Sequence, residues 1–284
     1  MKTRHCIPGR RIVRNAILAA CAMIFAAGCA HGQEWAKAIL NRSPRHQEWV
    51  KIQHGSRTVN AFVVYPEVSN KAPVVLMIHE IFGLTDWARA MADEIASMGY
   101  IVIAPDLLSG FGPGGGDTST FPDMQSAVKA VSNLDAANVT ADLNAAADYA
   151  LKFPAASGKL AVAGFCWGGG KSFLFATQRK DLTAAFVFYG PPPPMENLGS
   201  ISAPVYGFYG GNDARITATV PETKQAMAAA GKTYEAVVYD GAGHGFMRAG
   251  EDPANTNPAN ATARSEALRR FETLLKGMQA DGKP

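Results

Sequence analysis

Short apolar runs recur along this chain and alternate with stretches of helical spacing. The run Val74 to Ile78 contains no polar residue, which suits a strand buried on both faces of a parallel sheet. Tyr100 to Ala104, Leu160 to Ala163, Thr183 to Tyr189, Pro204 to Tyr209 and Tyr234 to Tyr239 repeat that character. Between them the period changes. Trp87, Met91, Ile95 and Met98 share one helical stripe, which Thr85 or Asp86 can cap and Gly99 stops. Helical spacing returns from Met124 to Phe153, interrupted near Asn138, and again over Gly168 to Gln178, Pro221 to Ala230 and Ala259 to Lys276. Strands alternating with helices in this order predict an α/β chain with a doubly wound, mostly parallel sheet flanked by helices.

The remaining stretches read differently. Trp49 to Gln53 and Thr58 to Tyr65 form a hairpin pattern across His54, Gly55 and Ser56. Gln33 to Glu48 is polar, with Trp35, Ala38 and Ile39 at rough helical spacing, and reads as a short helix or a tether. Ser109 to Asp123 is rich in glycine and proline and reads as a flexible surface loop. Its glycines, Gly112 to Gly116, are no phosphate cradle, because no strand leads directly in and no helix opens on them. Pro191 to Pro194 cannot continue a sheet. With no internal repeat or linker, residues 49–284 read as one domain, preceded by a tether or short helix over 29–48.

The first 28 residues are of another kind. Lys2, Arg4, Arg10, Arg11 and Arg14 precede an uncharged, Ala-rich run from Ala16 to Ala30, the pattern of an export signal. That run is shorter than the roughly 20 residues needed to span a bilayer. Ala26-Ala27-Gly28-Cys29 also resembles a bacterial lipobox, so the leader reads either as plainly cleaved or as making Cys29 a lipidated first residue. The chain would then be exported, periplasmic or membrane-anchored, with Cys29 its only membrane contact. Removing residues 1–28 turns the formal charge from +3 to −2. No basic surface for nucleic acid remains. Cys6, Cys21 and Cys29 go with the leader or end it, so Cys166 is the one thiol in the body of the mature chain. A lone cysteine in an oxidising compartment points to a reactive thiol.

Cys166 sits in Gly164-Phe165-Cys166-Trp167-Gly168. This is G-x-S-x-G with cysteine for serine, between an apolar strand and a helix, the form of a nucleophile elbow. The following helix would point its first N–H groups at the sulfur. Three more candidates end predicted strands: Glu80 after the strand from Pro73 to His79, Asp213 after Tyr209 and His244 after Tyr239. Each alone has a structural reading: a solvated turn for Asp213, a turn histidine for His244, a strand-end carboxylate for Glu80, a buried thiol for Cys166. Together they fall at the carboxyl edge of the sheet, where such folds gather ligands and catalysts, in the order nucleophile, acid, base. His79 and Glu80 do not form a zinc motif, since residue 83 is glycine. No metal or organic cofactor is implied.

The elbow, the Glu80-Ile81-Phe82-Gly83 stretch, Asp213 and the Gly243 to Arg248 segment resemble the dienelactone hydrolases (carboxymethylenebutenolidases), from about Val59 to Phe271. The resemblance implies an α/β-hydrolase fold and a Cys166, His244, Asp213 triad. It also implies a Glu80 that interacts with the resting thiol, an oxyanion hole from the Trp167 and Ile81 N–H groups, and an Arg248 that binds a substrate carboxylate. The partner would be a small ester or lactone. A second carboxylate-binding arginine has no counterpart, for residues 90–178 contain no arginine, and Lys129 is the basic stand-in. A broader carboxylesterase or thioesterase on the same triad, a noncatalytic ligand-binding lipoprotein and a thiol redox sensor are the other readings.

Overall fold

The computed structural model describes residues 33–280. The leader, with Cys29, lies outside the described residues. The helices are α1 (Glu34–Arg42), α2 (Asp86–Ser97), α3 (Met124–Ser132), α4 (Ala136–Leu151), α5 (Trp167–Gln178), α6 (Ala214–Thr217), α7 (Val220–Ala229), α8 (Phe246–Ala249) and α9 (Pro258–Ala280). The strands are β1 (Gln47–His54), β2 (Arg57–Val64), β3 (Ala72–Ile78), β4 (Ile101–Pro105), β5 (Ala156–Phe165), β6 (Leu182–Phe188), β7 (Val205–Gly210) and β8 (Tyr234–Tyr239). They form one eight-stranded sheet in the order β1-β2-β4-β3-β5-β6-β7-β8. The β1/β2 and β2/β4 pairs are antiparallel and all others parallel.

Every residue of β3 and β4 is buried, which explains their unbroken apolar runs. Alternate side chains enter opposite layers. Val75 and Met77 pack with Trp87, Met91 and Ile95 of α2 and Phe271 of α9. Val74, Leu76 and Ile78 pack with Leu143, Ala146 and Ala147 of α4 and with Phe173 of α5.

The segment before β1 is a packed helix. Ala36 and Leu40 of α1 are buried in the α2 layer. Buried Asp93 of α2 accepts hydrogen bonds from Ser43 Oγ (2.5 Å), Arg45 Nε (3.0 Å) and Gln47 Nε2 (3.1 Å).

Two local expectations are corrected. The break between α3 and α4 falls at 133–135 rather than near Asn138, because Asp135 caps α4 by accepting from Asn138 N at 2.9 Å. The Ser109 to Asp123 segment is tied down rather than flexible. Gly110 N donates to Gly116 O at 2.8 Å, and the buried Asp106 carboxylate takes both Thr118 N (2.9 Å) and Thr118 Oγ1 (2.7 Å). A buried carboxylate needs such donors, and here the loop supplies them.

Candidate active site

β5 delivers the chain into a turn in which Cys166 has φ 57° and ψ −116°. A non-glycine residue with positive φ is strained, and its neighbours allow it only by lacking side chains. A Cβ on Gly164 would lie 1.9 Å from Gly168 O, and one on Gly168 would lie 2.4 Å from His79 O. The elbow is therefore pressed against the end of β3. Cys166 N donates to Phe188 O at 3.0 Å, fixing it to β6 as well.

The loop after β8 carries His244 and packs on the end of β7. A Cβ on Gly210 would meet Ala242 O at 2.6 Å, and Asn212 N donates to Ala242 O at 2.9 Å. Asp213, just past β7, thereby reaches the imidazole. His244 Nδ1 and Asp213 Oδ2 are 2.5 Å apart, and His244 Nε2 and Cys166 Sγ are 3.1 Å apart. The three residues that sequence order suggested as a triad meet in one hydrogen-bonded line. The His244 pKa is raised to about 9, first by its hydrogen bond with the Cys166 sulfur, against partial burial, with the Asp213 carboxylate adding to the rise. Such a shift describes an imidazolium favoured between two acceptors.

Trp167 opens α5, where the first N–H groups of a helix have no intrahelical partner. Ile81 follows β3 in a turn closed by Gly83 N donating to Glu80 O at 3.2 Å. The close approach of Gly168 to the carbonyls of Ile78 and His79 brings these two backbone segments side by side.

Glu80 is 2% exposed and pairs with Arg248, whose Nε donates to Glu80 Oε2 at 2.8 Å. The family resemblance sets Glu80 at the thiol and Arg248 at a substrate carboxylate; in this structure each is the other's partner. Burial raises the Glu80 pKa, and the Arg248 guanidinium opposes that rise. Burial also acts to lower the Arg248 pKa, but the Glu80 carboxylate outweighs it and the net shift is upward. Lys129 is exposed in the last turn of α3. Lys171, half-buried on α5, holds its Nζ 5.1 Å from the centroid of the Trp167 ring, and burial lowers its pKa.

Sequence reasoning passed over Tyr189. It directly follows β6 with φ 41°, is fully buried, and lies edge-on to His244 at 5.2 Å between ring centroids. Its hydroxyl lies beside Glu80 without a partner at hydrogen-bond geometry. The local signal was slight: an aromatic between a buried strand and Gly190. His79, buried beneath the elbow, stacks on Trp167 at 5.7 Å and holds Nδ1 2.7 Å from Glu80 O. Among the described residues, no three His, Cys, Asp or Glu side chains converge as metal ligands would. A groove of about 890 Å³ is lined by Phe82, Leu84, Thr118 and Phe121 among others and does not include Cys166, Asp213 or His244.

The dienelactone hydrolase family model matches residues 59–279. A Methylorubrum extorquens protein, provisionally named a carboxymethylenebutenolidase, is 34% identical over 210 residues, covering 69% of this chain and 71% of the relative. The crystal structure of a provisionally named dienelactone hydrolase from Klebsiella pneumoniae superposes with a TM-score of 0.68 at 30% identity, covering 79% of this chain and 97% of that one. A dienelactone hydrolase-like promiscuous phosphotriesterase from metagenomic libraries shares the fold, with a TM-score of 0.68 at 23% identity over 82% of this chain and 98% of its own. The elbow, the sheet order and these likenesses agree: the chain belongs to the dienelactone hydrolase family, α/β-hydrolases acting on lactone and ester bonds.

Proposed function

We propose that the chain is an exported hydrolase that cleaves carboxylic esters or enol-lactones through a thioester on Cys166. The observation that carries this reading is the line from Cys166 Sγ through the His244 ring to Asp213, at 3.1 and 2.5 Å. The thiolate attacks the carbonyl carbon and the carbonyl π electrons move to oxygen. The Trp167 and Ile81 N–H groups receive the oxyanion, a kind of donor whose loss costs about 2.7 to 4 kcal/mol in the barrier. Collapse expels the alcohol, which takes a proton from His244. Water, deprotonated by the now neutral imidazole, attacks the thioester, and a second collapse returns the sulfur as thiolate and His244 as imidazolium. Asp213 holds the imidazole in the tautomer that presents Nε2 to the sulfur. Activated esters and enol-lactones suit this chemistry, because a thiolate acylates readily and a good leaving group needs little protonation.

Export follows from the leader read over residues 1–28, with Cys29 as the point at which lipid would attach. The broader reading, a carboxylesterase or thioesterase on the same three residues, is favoured by the engagement of Arg248 with Glu80. The deciding experiment measures hydrolysis of a dienelactone and of a p-nitrophenyl ester by the purified protein, by Cys166→Ala and after iodoacetamide treatment. Turnover that falls by roughly 10³-fold or more in both controls is the expected result. Undiminished turnover in Cys166→Ala would remove the thiol from the chemistry.

A further inference from the structure

A backbone oxyanion hole acts only when the peptides that carry its N–H groups are held in place. The Trp167 N–H is held by α5, which that residue opens. Ile81 lies in the turn between β3 and α2, outside any regular element, and among the described residues no acceptor meets its N–H. Its direction is set from the other end of the same peptide. That unit joins the Glu80 carbonyl to the Ile81 N–H, and in a trans peptide the two point in opposite directions. Glu80 O has two partners, His79 Nδ1 at 2.7 Å and Gly83 N at 3.2 Å. With both acceptor positions of the oxygen engaged, the peptide plane cannot rotate without breaking a bond.

The loop after β4 fixes the tautomer that this arrangement needs. Leu107 N donates to His79 Nε2 at 3.4 Å, so Nε2 is bare and the ring proton sits on Nδ1, facing Glu80 O. Burial lowers the His79 pKa against the opposing pull of the Asp106 carboxylate, and the fully buried ring is neutral. The donor at Leu107 is itself held, because Asp106 N donates to Asn60 O at 2.8 Å and the Asp106 carboxylate accepts from Leu108 N at 3.0 Å. The imidazole also lies nearly parallel to the Trp167 ring, 12° between planes and 5.7 Å between centroids. One side chain thus meets the Ile81 peptide and the residue that carries the other donor. An apolar side chain could fill the same space, but it would leave Leu107 N without an acceptor and Glu80 O with Gly83 alone.

Resting on the thiol-hydrolase reading above, we propose that His79 is a positioning residue for acyl transfer: its Nδ1–H pins the Glu80–Ile81 peptide so that the Ile81 N–H faces the oxyanion. It touches neither the substrate nor the reacting atoms. Acylation and deacylation both pass through an oxyanion, so its loss falls on kcat whichever step is slow.

The test sets hydrolysis of p-nitrophenyl butyrate against alkylation of Cys166 by iodoacetamide, a displacement at carbon that forms no oxyanion. His79→Leu should lower kcat by about 10²-fold, the scale of one lost donor, with little change in KM. Its alkylation rate should stay within about twofold of wild type, because the thiol and its base are untouched. His79→Asn places an amide N–H where Nδ1 stands and should recover about tenfold or more of the lost kcat. An unchanged kcat in His79→Leu, or equal losses in the two variants, overturns the proposal. So does a parallel fall in hydrolysis and alkylation, which would give His79 to the elbow as a whole. Should neither variant fold, wild type decides. Nitrogen NMR of the histidine-labelled protein must place the proton of the His79 ring, identified by its proximity to the Trp167 indole, on Nδ1; an Nε2–H tautomer overturns the proposal. Wild-type protein without Cys166-dependent hydrolysis is a different result: it removes the thiol-hydrolase reading whatever the tautomer, and this role with it.

Discussion

His244 is the residue whose protonation reports the site most directly. Its pKa, raised to about 9 mainly by the Cys166 sulfur and further by Asp213, lies above the roughly 6.5 of an unfolded histidine. The folded state therefore binds the proton more tightly than the unfolded one. The stability this contributes is fully present below about pH 6.5 and is lost as pH rises through about 9. His244→Gln should accordingly lower the melting temperature, relative to wild type, more at about pH 6 than at about pH 10. A melting difference that is constant across that range would mean that the imidazolium is not held by its two neighbours. Asp213, 8% exposed, supplies part of this effect and orients the ring. Glu80 does not bear on it through contact, since its partner is Arg248.

At the scale of elements, the elbow works because backbone occupies the space that side chains would take. Gly164→Ala places a methyl group 1.9 Å from Gly168 O, and that oxygen belongs to backbone that cannot retreat without opening the turn. The substitution should lower stability by about 1 to 3 kcal/mol and misplace the sulfur relative to His244. Urea unfolding and ester hydrolysis would both register it, while Gly199→Ala, with open space around its Cβ, should leave both unchanged. The elbow was legible in the sequence because strand, turn and helix are contiguous and each is written in short-range pattern. The central strands were legible for the same reason: burial on both faces leaves β3 and β4 without polar residues. What depends on long-range partners was not legible. Asp106 turns a Gly/Pro-rich stretch into an anchored loop through Thr118, and nothing near Thr118 announces it. Glu80 and Arg248 are 168 positions apart, so the family pattern marked both residues and missed that they neutralise each other. Tyr189 takes its place from the neighbours that enclose it, Glu80, His244 and Phe246, and its own segment carries almost no trace of this.

For the whole molecule, the link between leader and domain fixes where the enzyme would act. Among the described residues, no helix is long and apolar enough to cross a membrane; attachment through Cys29 is a separate proposal that rests on the leader read over residues 1–28. The described chain begins at Gln33, whose side-chain oxygen accepts from Trp87 N at 3.1 Å, and α1 is locked onto α2 through Ser43, Arg45, Gln47 and Asp93. Cys29 and Gln33 are only four positions apart, a reach of at most about 14 Å. A lipid on Cys29 would hold the α1 side of the domain close to the bilayer, rather than let it range on a long tether. A single acyl chain gives only marginal binding, whereas several together anchor stably, and lipidation of a lipobox cysteine would give that firm attachment. The expected outcome is therefore sharp. Expressed in a bacterium, the chain should sediment with membranes and incorporate labelled fatty acid, and Cys29→Ser should lose the label while Cys166-dependent ester hydrolysis persists. A wild-type protein that is exported, unlabelled and released in soluble form would assign the leader to plain cleavage. Recovery of the unprocessed chain in the cytoplasm would refute export itself, and with it the argument that a lone thiol marks a reactive one.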